Sequence, residues 1–319
     1  MAESESSHPS EPDQSYLRFS SMDEADRLKP FRKDVDDEQF LERLNRALIE
    51  LDRSEQPKEG RSFSPLLIAG VPRSGTTVIS QLLAARYELG YVSNLMARFH
   101  LAPVVGARLQ EMLLGDQISR TREFRSVHGV TSHIHEPHEF GYFWSRHLGV
   151  EGSAHEPSAG FELKSDAYVS LAEELDRIGQ AFARPWMAKN ILACFHASQL
   201  AKHTNCFFVH IVRDRSATVD SILRVRRERL GSEESWWSLR PAGFEALASE
   251  PPRKQVEWQC QRIQESLEEG LSAHPGRSIT CRLEDLCNNP EEELAKIMAA
   301  YEDAAGTTVA VKGEAIKSV

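Results

Sequence analysis

The sequence predicts a three-layer α/β/α fold built on a mostly parallel central sheet. PLLIAGV (Pro65 to Val71) and CFFVHIV (Cys206 to Val212) are short, continuous apolar runs, the pattern of parallel strands covered on both faces. Each leads through turn residues into a helical pattern. Strands that alternate with helices imply crossover connections and a doubly wound sheet.

Taken in order, residues 1–35 are rich in Ser, Glu, Asp and Pro and poor in aliphatics, the composition of a flexible tail. Residues 36–60 read as an amphipathic helix and a linker. Phe40, Leu41, Leu44, Ala47, Leu48 and Leu51 recur at spacings of three and four, then a polar break runs from Glu55 to Arg61. Residues 61–319 are expected to form one domain, a size that buries a substantial core. Within it the first strand is followed by PRSGTT and the helical run VISQLLAARYEL. Helices are expected over Leu171 to Phe182, from near Ser216, over Gln255 to Leu271 and over Glu291 to Tyr301. Trp186 to Ala188 and Ser278 to Arg282 are further strands.

The bulk numbers narrow the function. With 40% hydrophobic and 27% charged residues the chain has the composition of an ordinary globular protein. A net charge of -10 disfavours a nucleic-acid partner, which needs a basic face, so any anion site must be local. Arg73 and Arg213 are positioned for one, whereas Arg224, Arg226, Arg227 and Arg229 read as a solvated helix face. Five scattered cysteines without a CxxC pair argue against a disulfide framework or zinc knuckle and for a reducing compartment. With no apolar run of about 20 residues and no signal-like N-terminus, the expected location is cytoplasmic.

GVPRSGTT (Gly70 to Thr77) is expected at the carboxyl end of a strand and the start of a helix, where unpaired N–H groups and the helix dipole favour anions. Gly70 and Gly75 let the backbone wrap a phosphate. Ser74, Thr76 and Thr77 add hydroxyls, and Arg73 places a guanidinium on the loop. The two glycines keep the spacing of a P-loop, but Thr76 stands where that motif has its lysine. A loop so altered is poorly equipped for a nucleoside triphosphate and suits a 5′-phosphosulfate.

GVPRSGTT resembles the 5′-phosphosulfate loop of the sulfotransferase family, in the variant typical of tyrosylprotein and many bacterial members. FFVHIVRDRSATVDS is similar to the family's second motif, with Arg213 at a strand end and Ser221 eight residues later, about two turns into the next helix. The resemblance implies a P-loop-type α/β fold and 3′-phosphoadenosine 5′-phosphosulfate as sulfuryl donor. It implies that Arg73, Ser74, Gly75, Thr76 and Thr77 hold the 5′-phosphosulfate and that Arg213 and Ser221 hold the 3′-phosphate. MAKN (Met187 to Asn190) is similar to the family's strand-ending lysine segment, which makes Lys189, with Arg73, a residue that stabilises charge during transfer. WWSLRP (Trp236 to Pro241) lies where bacterial members carry a substrate or lid loop. CRLEDL resembles a segment that usually reads Tyr-Glu-Asp-Leu, with Leu283 in place of the tyrosine, and no C-terminal basic motif stands out beyond Lys312 near Gly313.

A hydroxyl acceptor needs a base. Related enzymes often carry a glutamate in the segment after the first helix, but this chain offers Asn94 there, which cannot take a proton. The base is therefore sought in HGVTSHIHEPHEFGYFW, which holds His128, His133, His135, Glu136, His138 and Glu139. His135 and Glu139 would share a face if this stretch were helical, and His135 with Glu136 is the couple favoured for base and orienter. A metal is the lesser reading of the cluster, since sulfuryl transfer requires none and Pro137 interrupts the spacing. Phe140, Tyr142, Phe143 and Trp144 read mainly as core, and Trp236 and Trp237 as an acceptor-contacting lid.

The expected activity is transfer of a sulfuryl group to a hydroxyl or amine of an acceptor the sequence does not identify, a small molecule or a glycan or glycolipid. The alternatives are a P-loop kinase-like phosphoryl transferase and an inactive nucleotide-binding interaction protein.

Overall fold

The computed structural model describes residues 27–55, 62–121, 126–127, 130–131, 133–148, 156 and 165–316. Residues 1–26 of the expected tail, 56–61 of the expected linker and His128 lie outside the described residues.

Five strands form one parallel sheet: β1 (Pro65–Ala69), β2 (Gly90–Tyr91), β5 (Trp186–Lys189), β6 (Phe207–Val212) and β7 (Ser278–Arg282), in the order β2-β5-β1-β6-β7. A separate two-strand ladder pairs β3 (Ser126–Val127) with β4 (Val130–Thr131). The helices are α1 (Val35–Ser54), α2 (Thr76–Arg86), α3 (Pro103–Arg120), α4 (Gly141–His147), α5 (Ser165–Phe182), α6 (Ala193–His203), α7 (Arg215–Val225), α8 (Pro252–Ser272), α9 (Leu283–Asn288) and α10 (Pro290–Ala305).

Side chains alternate across a strand, and β1 shows how this makes three layers. Leu67 and Ala69 point into a core with Leu171 and Leu175 of α5, Leu200 of α6 and Ile263 of α8. Leu66 and Ile68 point the other way, onto Ile79 and Leu83 of α2 and Leu294 and Ile297 of α10. Every β1 residue is buried, which is why its sequence is apolar without alternation.

α1 lies on this domain through polar contacts as well as apolar ones. Asp34 caps its start, accepting from the N–H groups of Asp36 at 2.9 Å and Asp37 at 3.1 Å. Buried Asn45 donates to the Arg98 carbonyl at 2.6 Å and accepts from Leu101 N–H at 2.9 Å. Buried Asp52 accepts from Val104 and Val105 N–H at the start of α3, at 2.8 and 3.0 Å, and pairs with Arg177 of α5 at 3.2 Å. Just before α1, Leu28 N–H donates to the Arg229 carbonyl at 2.9 Å, and Lys33 donates to the Tyr142 hydroxyl.

Candidate functional site

Three strand ends converge. The loop from Gly70 to Gly75 follows β1, Lys189 closes β5, and Arg213 follows β6, and the parallel register brings all three to one edge of the sheet. Glycine is required twice in this loop. A Cβ on Gly70 would lie 2.5 Å from the Ile211 carbonyl oxygen, so the backbone passes β6 only without one. Gly75, the residue before α2, has φ +109°. Arg73 also lies in the left-handed region, at φ 73°, where an L side chain is strained.

Arg73 Nε donates to Ser221 Oγ at 3.0 Å, and Arg213 Nη1 donates to the Arg73 carbonyl at 3.1 Å. Burial, and then the charges of Arg213, Arg229 and Arg224, pull the Arg73 pKa below its ordinary value, against one opposing acid, Glu228. Ser74 is nearly inaccessible, and its hydroxyl has no partner among the described residues. A small cavity beside it is lined by Val71, Ser74, Arg213, Thr218, Cys260 and Gln264 among others. Cations turned toward one another and an orphaned hydroxyl beside them fit a polyanionic ligand.

The other two segments buttress this arrangement. Asp214 caps α7, accepting from Ala217 N–H at 2.8 Å, while its own N–H donates to Glu284 at 2.8 Å. Leu283 lies against Gly75. The CRLEDL stretch thus braces the first loop with its leucine and the second with its glutamate. Lys312 is placed elsewhere, buried and donating to the Ile118 carbonyl at 3.0 Å near the end of α3.

Lys189 is buried, and its ammonium donates to Thr77 Oγ1 at 2.8 Å and pairs with Glu139 Oε1 at 3.0 Å. Burial would raise the Glu139 pKa, but the charge and hydrogen bond of Lys189 outweigh it and hold the carboxyl below its ordinary value. Solvent still reaches the carboxylate, whose side chain is 42% exposed, so it stands in an open cleft. Asn190 donates to the Glu139 carbonyl at 3.0 Å and fixes its backbone.

The segment carrying Glu139 is not the helix that the pairing of His135 with Glu139 assumed. Pro137 bridges to Ser93, His138 N–H donates to the Val92 carbonyl at 2.8 Å, and Phe140 adopts a left-handed φ of 55° before α4 begins. The chain is therefore extended through His138 and Glu139 and turns sharply after them. His138 Nδ1 accepts from Phe140 N–H at 2.9 Å, which leaves Nε2 as the protonated nitrogen. The ring is open to solvent on one side; the protein packed around it lowers its pKa to about 4, partly countered by Glu139, so it is a neutral donor near pH 7.

His135 and Glu136 are placed in the preceding turn. Glu136 is 1% exposed and accepts from His133 N–H at 2.8 Å, while His135 Nδ1 meets Gln117 Nε2 at 2.9 Å and its carbonyl accepts from Tyr91. The structure brings Glu139 to Lys189, and Glu136 to its own backbone. Asn94 braces the same turn, donating to Thr131 Oγ1 and the His133 carbonyl. Among the described residues no group of three or more His, Cys, Asp or Glu could hold a metal ion.

Two sequence readings need correction. Arg224 and Arg227 are exposed as expected, but Arg226 is fully buried, donating to the Glu233 carbonyl and Gln255 Oε1, each at 3.0 Å, and lying 5.1 Å from the Trp236 ring. A basic face exists only where no other element covers it, and the WWSLRP loop covers this one. That loop is itself pinned inward. Trp236 Nε1 donates to the Leu239 carbonyl at 3.1 Å, and Gln259 of α8 donates to the carbonyls of Trp237 and Leu239. Of the aromatic cluster, Phe140, Phe143 and Trp144 are core, whereas Tyr142 bonds to Lys33 and Glu38.

The sequence matches the sulfotransferase family over residues 65–302, most of the chain and all of the strand ends described above. The chain belongs to the sulfotransferase family. Two crystal structures share its fold. One is the sulfotransferase STF9 from Mycobacterium avium, 14% identical, covering 82% of this chain and 68% of that one with a TM-score of 0.52. The other is STF1 from Mycobacterium tuberculosis, 13% identical, covering 83% and 74% with a TM-score of 0.52. No curated protein matches the chain. Among the described residues no helix of this sulfotransferase is long and apolar enough to cross a membrane.

Proposed function

We propose that this sulfotransferase moves a sulfuryl group from 3′-phosphoadenosine 5′-phosphosulfate to a hydroxyl or amine, with a small molecule or a glycan as acceptor. The observation that carries this reading is the convergence of Arg73, Ser221 and Arg213 at 3.0 and 3.1 Å on one sheet edge of a protein whose net charge is -10. Two phosphate-bearing ends on one ligand account for two cationic motifs on neighbouring strands.

In this reading Arg73, Ser74, Gly75, Thr76 and Thr77 receive the 5′-phosphosulfate, and Arg213 and Ser221 the 3′-phosphate. The donor supplies an activated sulfur, whose bond to the bridging oxygen breaks as a bond to the acceptor oxygen forms. Lys189 offsets the charge left on the departing oxygen from a fixed, dry position, where such stabilisation is strongest. Glu139 takes the acceptor proton. It is the carboxylate that meets Lys189 and is open to the cleft, whereas Glu136 is enclosed in its own turn. Asn190 holds the Glu139 backbone, and the His138 Nε2–H orients the acceptor oxygen.

Calorimetric titration with 3′,5′-adenosine bisphosphate, 5′-AMP and ATP with magnesium, repeated on Arg213→Ala, tests the donor assignment. The bisphosphate is expected to bind most tightly, with a loss of about tenfold or more in the variant, the value of a charge-assisted hydrogen bond. Tighter binding of ATP with magnesium, or an unaltered Arg213→Ala, would overturn it in favour of a phosphoryl transferase.

A further inference from the structure

The segment just before α1 is fastened to two separate parts of the molecule. Leu28 N–H donates to the Arg229 carbonyl at 2.9 Å, and Leu28 Cδ2 lies 3.4 Å from where a Cβ on Gly231 would stand. Five residues on, Lys33 donates to the Tyr142 hydroxyl, pairs with Glu38 at 3.3 Å and lies 4.1 Å from the centre of the Tyr142 ring. The Tyr142 hydroxyl donates in turn to Glu38. Between the two anchors runs the 3-10 turn Lys29–Phe31, closed by Arg32 N–H donating to the Lys29 carbonyl at 3.3 Å.

The anchors stand on opposite sides of the site. Tyr142 is in the first turn of α4, just past Glu139, which pairs with Lys189 at the end of β5. Arg229 is in the π-helical turn Arg226–Leu230 that continues α7, the helix that follows β6 and carries Ser221. In the sheet β1 lies between β5 and β6. A segment that joins the β5 side to the β6 side therefore crosses at the end of β1, where Arg73 meets Ser221 and Lys189 joins Thr77 to Glu139. Leu28, Lys29, Pro30, Arg32 and Lys33 are exposed, so the segment passes outside the packed layers. The charge of Arg229 lowers the pKa of both Arg73 and Glu139, in keeping with this position. Solvent still reaches the Glu139 side chain, so the segment spans a space and does not fill it.

We infer that residues Leu28–Lys33 roof the cleft, and that the acceptor is a compact molecule enclosed beneath them and not a unit within a polymer chain. This rests on the proposed transfer reaction for the presence of an acceptor at Glu139, whereas the roof rests on the contacts above. Five residues reach at most about 18 Å, so a polymer could present an interior unit only by threading under a strap tied at both ends. A compact acceptor enters when one end releases, and surface contacts of this kind open locally at small cost. Leu28 is the end to release by mutation. Its φ of -60° and ψ of 144° suit proline, which keeps the path of the chain and removes the N–H.

The test is thiol labelling of the full chain carrying Glu139→Cys, with the exposed Cys287 as internal reference and the remaining cysteines buried. N-ethylmaleimide is compared with maleimide joined to a long polyethylene glycol chain, each site being followed by peptide mass mapping. Relative to Cys287, the polymer reagent is expected to label the introduced thiol more slowly than N-ethylmaleimide does. Adding Leu28→Pro should speed the polymer reagent there about fivefold, the worth of one hydrogen bond in the opening equilibrium, and Lys33→Met should act in the same direction. Labelling of Cys287 should not change. Equal access for the two reagents, failure of N-ethylmaleimide to label, or a polymer rate that neither substitution alters would overturn the inference. If Glu139→Cys unfolds the chain by circular dichroism, His138→Cys carries the same comparison. No step of this test uses the donor. Failure of 3′,5′-adenosine bisphosphate to bind would therefore remove the donor reading and leave the labelling to decide the roof.

Discussion

Lys189 and Glu139 meet at 3.0 Å in a cleft where the lysine ammonium is also bonded to Thr77 of the phosphate loop. One cation thereby touches both the loop that would hold the donor and the carboxylate that would receive the acceptor proton. Its two contacts come from elements far apart in sequence, and the strained turn at Phe140 keeps Glu139 in reach.

Replacing Glu139 by Gln keeps the size and removes the carboxylate proposed to take the proton. Transfer should fall by about 10²- to 10⁴-fold, with bisphosphate binding unchanged. Because Lys189 holds the Glu139 pKa below 4.5, the carboxylate stays ionised as pH falls to that value, and proton acceptance is lost only below it. The acid limb of kcat/KM in the wild type should accordingly lie below pH 4.5. A limb centred near neutrality, or a Glu139→Gln variant with full activity, would move the base to another group.

Ser221 is the only side chain to which the Arg73 Nε donates among the described contacts, and it sits two turns into α7. Ser221→Ala should weaken 3′,5′-adenosine bisphosphate by about tenfold or more, the value of one hydrogen bond to a charged group, and 5′-AMP far less. Calorimetry on both ligands decides it. An equal loss for both would mean that Ser221 acts by holding Arg73 and not by contacting a 3′-phosphate.

Strands β1, β5, β6 and β7 and the loops that follow β1 and β6 were legible because their determinants are local. Strand β1 must be apolar on both faces, the Gly70 loop must clear β6, and Arg213 and Ser221 lie on one strand-helix junction. Helices α3 and α6 were not drawn from the sequence. The buried face of α3 includes Gln110, which bonds to the Tyr91 carbonyl and Ser93 N–H, so tertiary hydrogen bonding hides its apolar period. Strand β2 has two residues and exists only by pairing with Trp186 and Met187. Glu139 stood in view within its histidine-rich run, but its role depends on Pro137 pairing with Ser93 and on the left-handed Phe140, neither of which a helical spacing reveals. The burial of Arg226 was equally hidden, since Glu233, Trp236 and Gln255 reach it from later in the chain.

Gly75→Ala combines two penalties. The backbone stands at φ +109°, and the new Cβ would lie 2.7 Å from Leu283 Cδ1. The strain in φ costs about 1–2 kcal/mol. The clash is with a flexible side-chain end, so Leu283→Ala in the same chain should relieve it and leave the backbone term. Thermal unfolding should show Tm falling in Gly75→Ala and recovering only in part in the double variant, after allowance for Leu283→Ala alone. Full recovery would mean that the left-handed conformation carries no cost at this position.

Glu174 ties the helix that follows the Glu139 segment to the layer behind it. Its carboxylate on α5 pairs with Arg146 at 2.6 Å and His147 at 3.3 Å, both on α4. Burial alone would raise its pKa, but the hydrogen bonds and charges of His147 and Arg146 prevail and hold it at about 2, against an ordinary 4.5. A carboxyl depressed in the folded state stabilises fully above its unfolded pKa and loses that contribution as pH falls through the folded one. The window is therefore about 4.5 down to about 2. The depression corresponds to at most about 3 kcal/mol, and to less at neutral pH, where burial holds the His147 pKa below its ordinary value and leaves Arg146 as the charged partner. Glu174→Gln should be less stable than the wild type by up to that amount at pH 7, and denaturant midpoints measured from pH 7 to pH 3 should show the gap closing below pH 4.5. A gap that stays constant across this range would assign the loss to packing between α4 and α5. If it closes, the ion pair is what holds α4, and with it Phe140 and Glu139, in place, and transfer by the variant should fall without loss of donor binding.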